Sequence, residues 1–259
     1  MAEGPVLRRA GALGAVLAAI LTGLAWCSPA RADLAQAADR CFAGPGDARC
    51  EPHTADGYVI LKDQCGMTQR LLVAHDPITG IEDPALRAAK TDFLEAAWDA
   101  GRRFLPGRDL TLVVNSLHGR SAGRFHIHID LARPGLLKQV SAAVARMPAD
   151  GSAIVAGSVT SHQLVEGRYY DLWHVRSLAR DEEGTLFNKL FAWLGDNPSA
   201  MEYQSLAVFG LPDGTFLVFN GHVVFENGAA VDNGNAEALE IDDHGTKVDP
   251  AGHCHPNDR

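Results

Sequence analysis

Asn115-Ser-Leu-His-Gly-Arg-Ser-Ala-Gly-Arg-Phe-His-Ile-His-Ile-Asp130 is a polar, glycine-bearing loop that runs straight into a strand. In a strand alternate side chains share a face, so Arg124, His126, His128 and Asp130 point one way. Phe125, Ile127, Ile129 and Leu131 point into a core. Two imidazoles, a guanidinium and a carboxylate thus line one side of a single strand. Gly119, Ser121 and Gly123 let the loop bring backbone N–H groups close to a phosphate. Imidazole is a competent nucleophile toward phosphorus near neutral pH, and its attack gives a phosphoramidate that water then cleaves. Arg124 and the loop amides would hold the equatorial oxygens, over which charge spreads in the transition state. The same His-x-His pattern also fits an exposed strand or one half of a metal site, so the pair alone does not fix the chemistry.

Working outward, Gly57–Lys62 reads as a strand with β-branched and aromatic residues, and Gln69–Ala74 as its hairpin partner. Asp83-Pro84 supplies a cap and a first-turn proline for a helix whose start lies between there and Thr91. Leu86, Phe93, Ala97, Ala100 and Phe104 give it one buried stripe. Pro106-Gly107 ends it, and Leu110–Val114 is a short apolar strand. Beyond the histidine strand, Leu136–Met147 reads as helix. Leu206–Phe209 and Thr215–Phe219 flank Gly210-Leu-Pro-Asp-Gly214, which is hairpin chemistry. His222–Phe225 extends that sheet, and the tail past Asn227 reads as irregular. No repeat, low-complexity tract or linker interrupts the chain, so one α+β domain over residues 33–259 is expected.

Residues 1–32 stand apart as a signal peptide or N-terminal membrane anchor. Arg8 and Arg9 precede an uncharged run from Ala10 to Trp26, and Ala30-Arg31-Ala32 is a small-x-small cleavage signal ahead of Asp33. Either form places the remainder outside the cytoplasm. Removing this segment takes away three basic and one acidic side chain, which leaves 20 basic against 31 acidic. Such a surface disfavours nucleic acid and anionic headgroups, so an anionic substrate needs a local pocket. Cys41, Cys50, Cys65 and Cys254 form an even set in an exported chain, which points to disulfides. Cys41–Cys50 is the preferred short loop, with Cys65–Cys254 as the second pair. His253-Cys254-His255 keeps a metal site open as the alternative.

The order of elements from Tyr58 to Leu131 resembles the histidine-triad (HIT) superfamily, and within it the CDP-diacylglycerol pyrophosphatases. The resemblance rests on Gly57-Tyr-Val-Ile-Leu-Lys-Asp63, Asn115-Ser116 with Gly119-Arg120, and Phe125-His-Ile-His-Ile129. Cys41, Cys50 and Tyr203-Gln-Ser-Leu-Ala-Val208 add to it. It implies a HIT-like antiparallel sheet with a long helix packed on one face and a C-terminal β-rich extension. It implies hydrolysis of CDP-diacylglycerol to CMP and phosphatidate through a nucleotidyl-histidine, with no metal or other cofactor required. An ungapped count from Asn115 gives His126 the first triad place and His128 the nucleophile's. A shortened loop instead gives Arg124 the first place and makes His126 the nucleophile. Asp130 then stands where the superfamily has His or Gln. The resemblance makes His126 and His128 catalytic and Asn115, Ser121, Arg124 and Asp130 substrate-binding. The expected partner is a lipid-nucleotide at the periplasmic face of the inner membrane, with no nucleic acid and no obligate protein partner. A hydrolase of soluble nucleotide diphosphates, a histidine-ligated metalloenzyme and a binding module remain open at this point.

Overall fold

The computed structural model describes residues 29–44, 48–55, 57–63, 68–120, 122–133, 136, 162–165, 168–226, 229–232, 234, 236–240, 246–248 and 254–256. Nine antiparallel strands form one sheet in the order β1-β2-β3-β5-β4-β8-β9-β7-β6. They are β1 (Cys50–Ala55), β2 (Tyr58–Lys62), β3 (Arg70–Ala74), β4 (Leu110–Val114) and β5 (His126–Leu131) in the first half. β6 (His162–Val165), β7 (Arg168–Val175), β8 (Gln204–Gly210) and β9 (Phe216–His222) complete it. The histidine strand β5 lies between β3 and β4, so every side chain along it is buried.

The helix expected after Asp83 is in fact two. Asp83 caps α2 (Pro84–Ala88), its side chain accepting from the Ala85 N–H, but α2 lasts one turn and a half. The amphipathic stripe belongs to α3 (Phe93–Phe104), a twelve-residue helix. Its Leu94, Ala97 and Ala100 pack with Leu72, Leu112, Ile127 and Ile129, the core residues that alternate with the histidines. Gly101 sets how close α3 comes. A Cβ there would stand 2.5 Å from Leu110 and 2.9 Å from Ile129. Farther along the same layer lie α4 (Leu186–Trp193), held by a Thr185–Asn188 capping box, and α5 (Pro198–Met201).

The opposite face of the sheet is covered in two pieces. α1 (Pro29–Ala43) lays Ala37, Ala38 and Cys41 over Val59, Leu61, Leu71 and Val73. A disulfide joins Cys41 to Cys50 and so ties α1 to β1. The second piece is a 3-10 turn, Ala236–Leu239, whose Ala236 and Leu239 cover Val113, Ala207 and Phe219. Two hairpins complete the described chain: β10 (Val224–Glu226) with β11 (Ala229–Asp232), and β12 (Thr246–Val248) with β13 (Cys254–Pro256).

Two expectations need correction here. The expected strand His222–Phe225 extends the main sheet only at its start: His222 is the last residue of β9, and the Val223 N–H adds one more rung to the Tyr203 carbonyl before the chain leaves the sheet. Val224–Glu226 therefore pairs in a separate hairpin. The tail past Asn227 is not irregular, since it contains β11, the 3-10 turn, β12 and β13. Residues 1–28, most of the expected helix 136–147, and Cys65 lie outside the described residues, and Cys254 is described through its backbone alone. Among the described residues no helix is long and apolar enough to cross a membrane.

Candidate active site

The register of β5 puts His126 opposite Val73 and His128 opposite Leu71 and Val113. Both rings therefore face away from α3, into the seam between α1 and the Ala236–Leu239 turn. They are 7% and 8% exposed, enough to be reached yet largely desolvated. Their ring centroids are 5.0 Å apart.

Each ring has its Nδ1 engaged by the protein, and the Nε2 of His128 is itself buried. His126 Nδ1 lies 2.7 Å from the Arg124 carbonyl oxygen. A carbonyl only accepts, so Nδ1 carries the proton, and Nε2 holds a lone pair when the ring is neutral. His128 Nδ1 is 2.8 Å from the side-chain nitrogen of Gln69, and the same nitrogen donates to Glu240 at 3.2 Å. Gln69 and Glu240 are buried, at 2% and 0% exposure.

The loop after β4 is folded by its own polar atoms. Ser116 Oγ accepts from the Gly119 N–H, and the Ser116 carbonyl accepts from Gly119 and Arg120. Asn115 and Ser116 also hold the C-terminal segment: Ala236 N–H donates to Asn115 Oδ1, and Ser116 N–H donates to the Gly234 carbonyl. Arg120 makes a two-pronged pair with Glu82 at 2.7 and 2.6 Å. A small cleft between these segments is lined by Gly80, Ile81, Asn115, Arg120 and His126. At the outer rim His118 stacks on Tyr203, with ring planes 6° apart, and meets the edge of the exposed Phe225.

The sequence-derived site is thus gathered only in part. His126, His128 and Asn115 share the seam. Arg124 lies on the same face, but its guanidinium pairs with Asp39 on α1 at 2.6 Å rather than standing open to a phosphate. Asp130 is fully buried and accepts a hydrogen bond from Thr68 at 2.6 Å. Ser121 lies outside the described residues. Gln69, Glu240 and Thr68 are the additions. Gln69 sits just before β3, and its place beside His128 depends on the β3–β5 register, which the local sequence does not display. Among the described residues no group of three or more His, Cys, Asp or Glu side chains could hold a metal ion.

Residues 39–249 match a protein family described as CDP-diacylglycerol pyrophosphatase. A protein of Yersinia pestis named CDP-diacylglycerol pyrophosphatase is 30% identical over 207 residues, which span 75% of this chain and 73% of the relative. Among solved structures, the chain is similar to yeast Ap4A phosphorylase. The AMP complex gives a TM-score of 0.39 and 14% identity, over 80% of this chain and 70% of that one. A second structure of yeast Ap4A phosphorylase gives 0.38 and 16%, over 88% and 73%.

Proposed function

This chain belongs to the CDP-diacylglycerol pyrophosphatase family, and from that we propose that it hydrolyses CDP-diacylglycerol to CMP and phosphatidate by histidine attack. The observation that carries the mechanism is the pair His126 and His128, nearly buried on one strand with both Nδ1 atoms engaged. In the first step an Nε2 lone pair forms a bond to the phosphorus that bears cytidine. The bond from that phosphorus to the bridging oxygen breaks, and phosphatidate leaves with the electron pair. In the second step water attacks the same phosphorus and the P–N bond breaks. CMP departs, the imidazole is regenerated and the released protons pass to solvent.

The ungapped count from Asn115 gives the attack to His128. A specific observation favours the second assignment, His126: its Nδ1–H is donated to the Arg124 carbonyl, so the neutral ring carries its lone pair on Nε2. Trapping the reaction in acid-free conditions and mapping the labelled peptide separates the two. A CMP adduct on either ring supports the covalent route, and the substitution of that residue by Ala should remove several orders of magnitude in kcat. The other histidine should leave residual turnover. Absence of any adduct, with activity lost to a chelator and restored by zinc, would sink the histidine route. Chelation is expected to leave the enzyme active.

We further propose export to the periplasmic face of the inner membrane, where the acyl chains of such a substrate remain in the bilayer. The Ala10–Trp26 run and the Ala30-Arg31-Ala32 signal support this. An intact mass beginning at Asp33 is expected; a mass retaining residues 10–26 would mean an anchor instead.

A further inference from the structure

We infer that Glu240, acting through the Gln69 amide, fixes which ring nitrogen of His128 carries its proton. The inference rests on reading His126 and His128 as the catalytic pair, and adds to it two positioning residues that no sequence motif marks.

The Gln69 side-chain nitrogen stands 2.8 Å from His128 Nδ1 and 3.2 Å from Glu240 Oε2. An amide nitrogen has two protons, enough for one acceptor on each side. Turned over, the amide would place its oxygen against the carboxylate, acceptor facing acceptor, at a site where all three residues are buried. Low local dielectric makes such an opposition costly. The carboxylate therefore selects the nitrogen. A nitrogen with only protons to offer makes Nδ1 the acceptor, and a neutral His128 ring then carries its hydrogen on Nε2.

His126 is the opposite case, with Nδ1–H donated to the Arg124 carbonyl and the lone pair on Nε2. Two rings 5.0 Å apart thus differ at Nε2, His126 holding a lone pair there and His128, whose Nε2 is buried, an N–H. A phosphoryl centre uses both, the lone pair to attack and the N–H to stabilise charge on a non-bridging oxygen.

Glu240 is well placed for this role because its segment is laced to the site at several points. Ala236 N–H donates to Asn115, Ser116 N–H donates to the Gly234 carbonyl, and Arg133 N–H donates to the Leu239 carbonyl. Glu240 itself forms a β-bridge with Ala132, directly after the histidine strand. The segment from Gly234 to Glu240 is accordingly part of the site's frame.

The test uses full-length protein labelled with nitrogen-15 in its histidines, without substrate. Wild type should show His128 protonated on Nε2 and His126 protonated on Nδ1. Glu240→Gln keeps shape but can donate as well as accept, so it removes the selection. Its His128 signals should move toward the average of the two tautomers while those of His126 stay. Gln69→Leu removes the bridge and should do the same if Glu240→Gln folds poorly. In turnover, Glu240→Gln should lower kcat about 10-fold with KM within about threefold, the pattern of a misplaced reacting group. A purely structural role would move both rings' signals together with thermal stability. A wild-type His128 protonated on Nδ1, or His128 signals unmoved in both variants, would overturn the inference. Inertness toward CDP-diacylglycerol with the tautomer pattern intact would instead sink the hydrolase reading alone.

Discussion

At the scale of single residues, the site joins groups that the sequence displays with groups it hides. Alternation along β5 is enough to place His126 and His128 on one face, because a strand between two partners has no freedom to turn. The same logic puts Arg124 and Asp130 on that face, but it says nothing of what covers them. Asp39 on α1 takes up Arg124, and Thr68 takes up Asp130. Gln69 and Glu240, 171 positions apart, meet only in the folded chain, so no spacing rule finds them. Arg120 illustrates the same point from the other side. Its pairing with Glu82 leaves the guanidinium side chain 8% exposed at the border of the cleft beside His126. Removing it leaves the Glu82 carboxylate uncompensated beside the cleft that His126 lines, which would repel an anionic substrate there. Arg120→Met is expected to raise KM for the anionic substrate by 10-fold or more, with a smaller loss in kcat. Steady-state kinetics check this; an unchanged KM would show that substrate does not approach the cleft.

At the scale of elements, six of the nine main-sheet strands were legible, while β1, β6, β7 and the covering pieces were not. β2, β3, β4, β5 and the β8–β9 hairpin all fall where their β-branched runs and Gly210–Gly214 turn predict. α1 does not stand out in the sequence because its first turn contains the cleavage signal Ala30-Arg31-Ala32 itself, and its alanines give a weak apolar stripe. Its burial comes from tertiary contact with Val59, Leu61, Leu71 and Val73, and its anchoring from the Cys41–Cys50 bond. That pairing is the one preferred from the sequence. Closing a loop with a sequence separation of nine limits the unfolded chain by about 2.5 kcal/mol. Cys41→Ser with Cys50→Ser should therefore lower unfolding free energy by roughly that amount in denaturant titration. Because α1 also borders the histidine seam through Asp39–Arg124, loosening it should cost activity before global unfolding. If activity and fold are lost together, α1 is only a structural cover.

At the scale of the whole molecule, charge and chemistry are in tension. The chain carries a formal net charge of −9, and the arginines around the site are already spoken for. Arg70 pairs with Glu51, Arg120 with Glu82 and Arg124 with Asp39. A nucleotide diphosphate on a lipid is itself anionic, so its approach is opposed by the field of the protein. Binding must then rely on short-range donors, such as loop N–H groups and an imidazole N–H, which salt screens little. The long-range repulsion is screened strongly, since the Debye length falls from about 30 Å at 0.01 M to about 10 Å at 0.1 M. Raising ionic strength across that range should thus increase kcat/KM several-fold, through association rather than through the chemical step. The measurement is best made with substrate in nonionic detergent micelles, which add no charge of their own. kcat should stay nearly constant while KM falls. A fall in kcat/KM with salt would mean that a locally positive field outweighs the acidic whole, and that at least one of these three ion pairs opens when substrate binds.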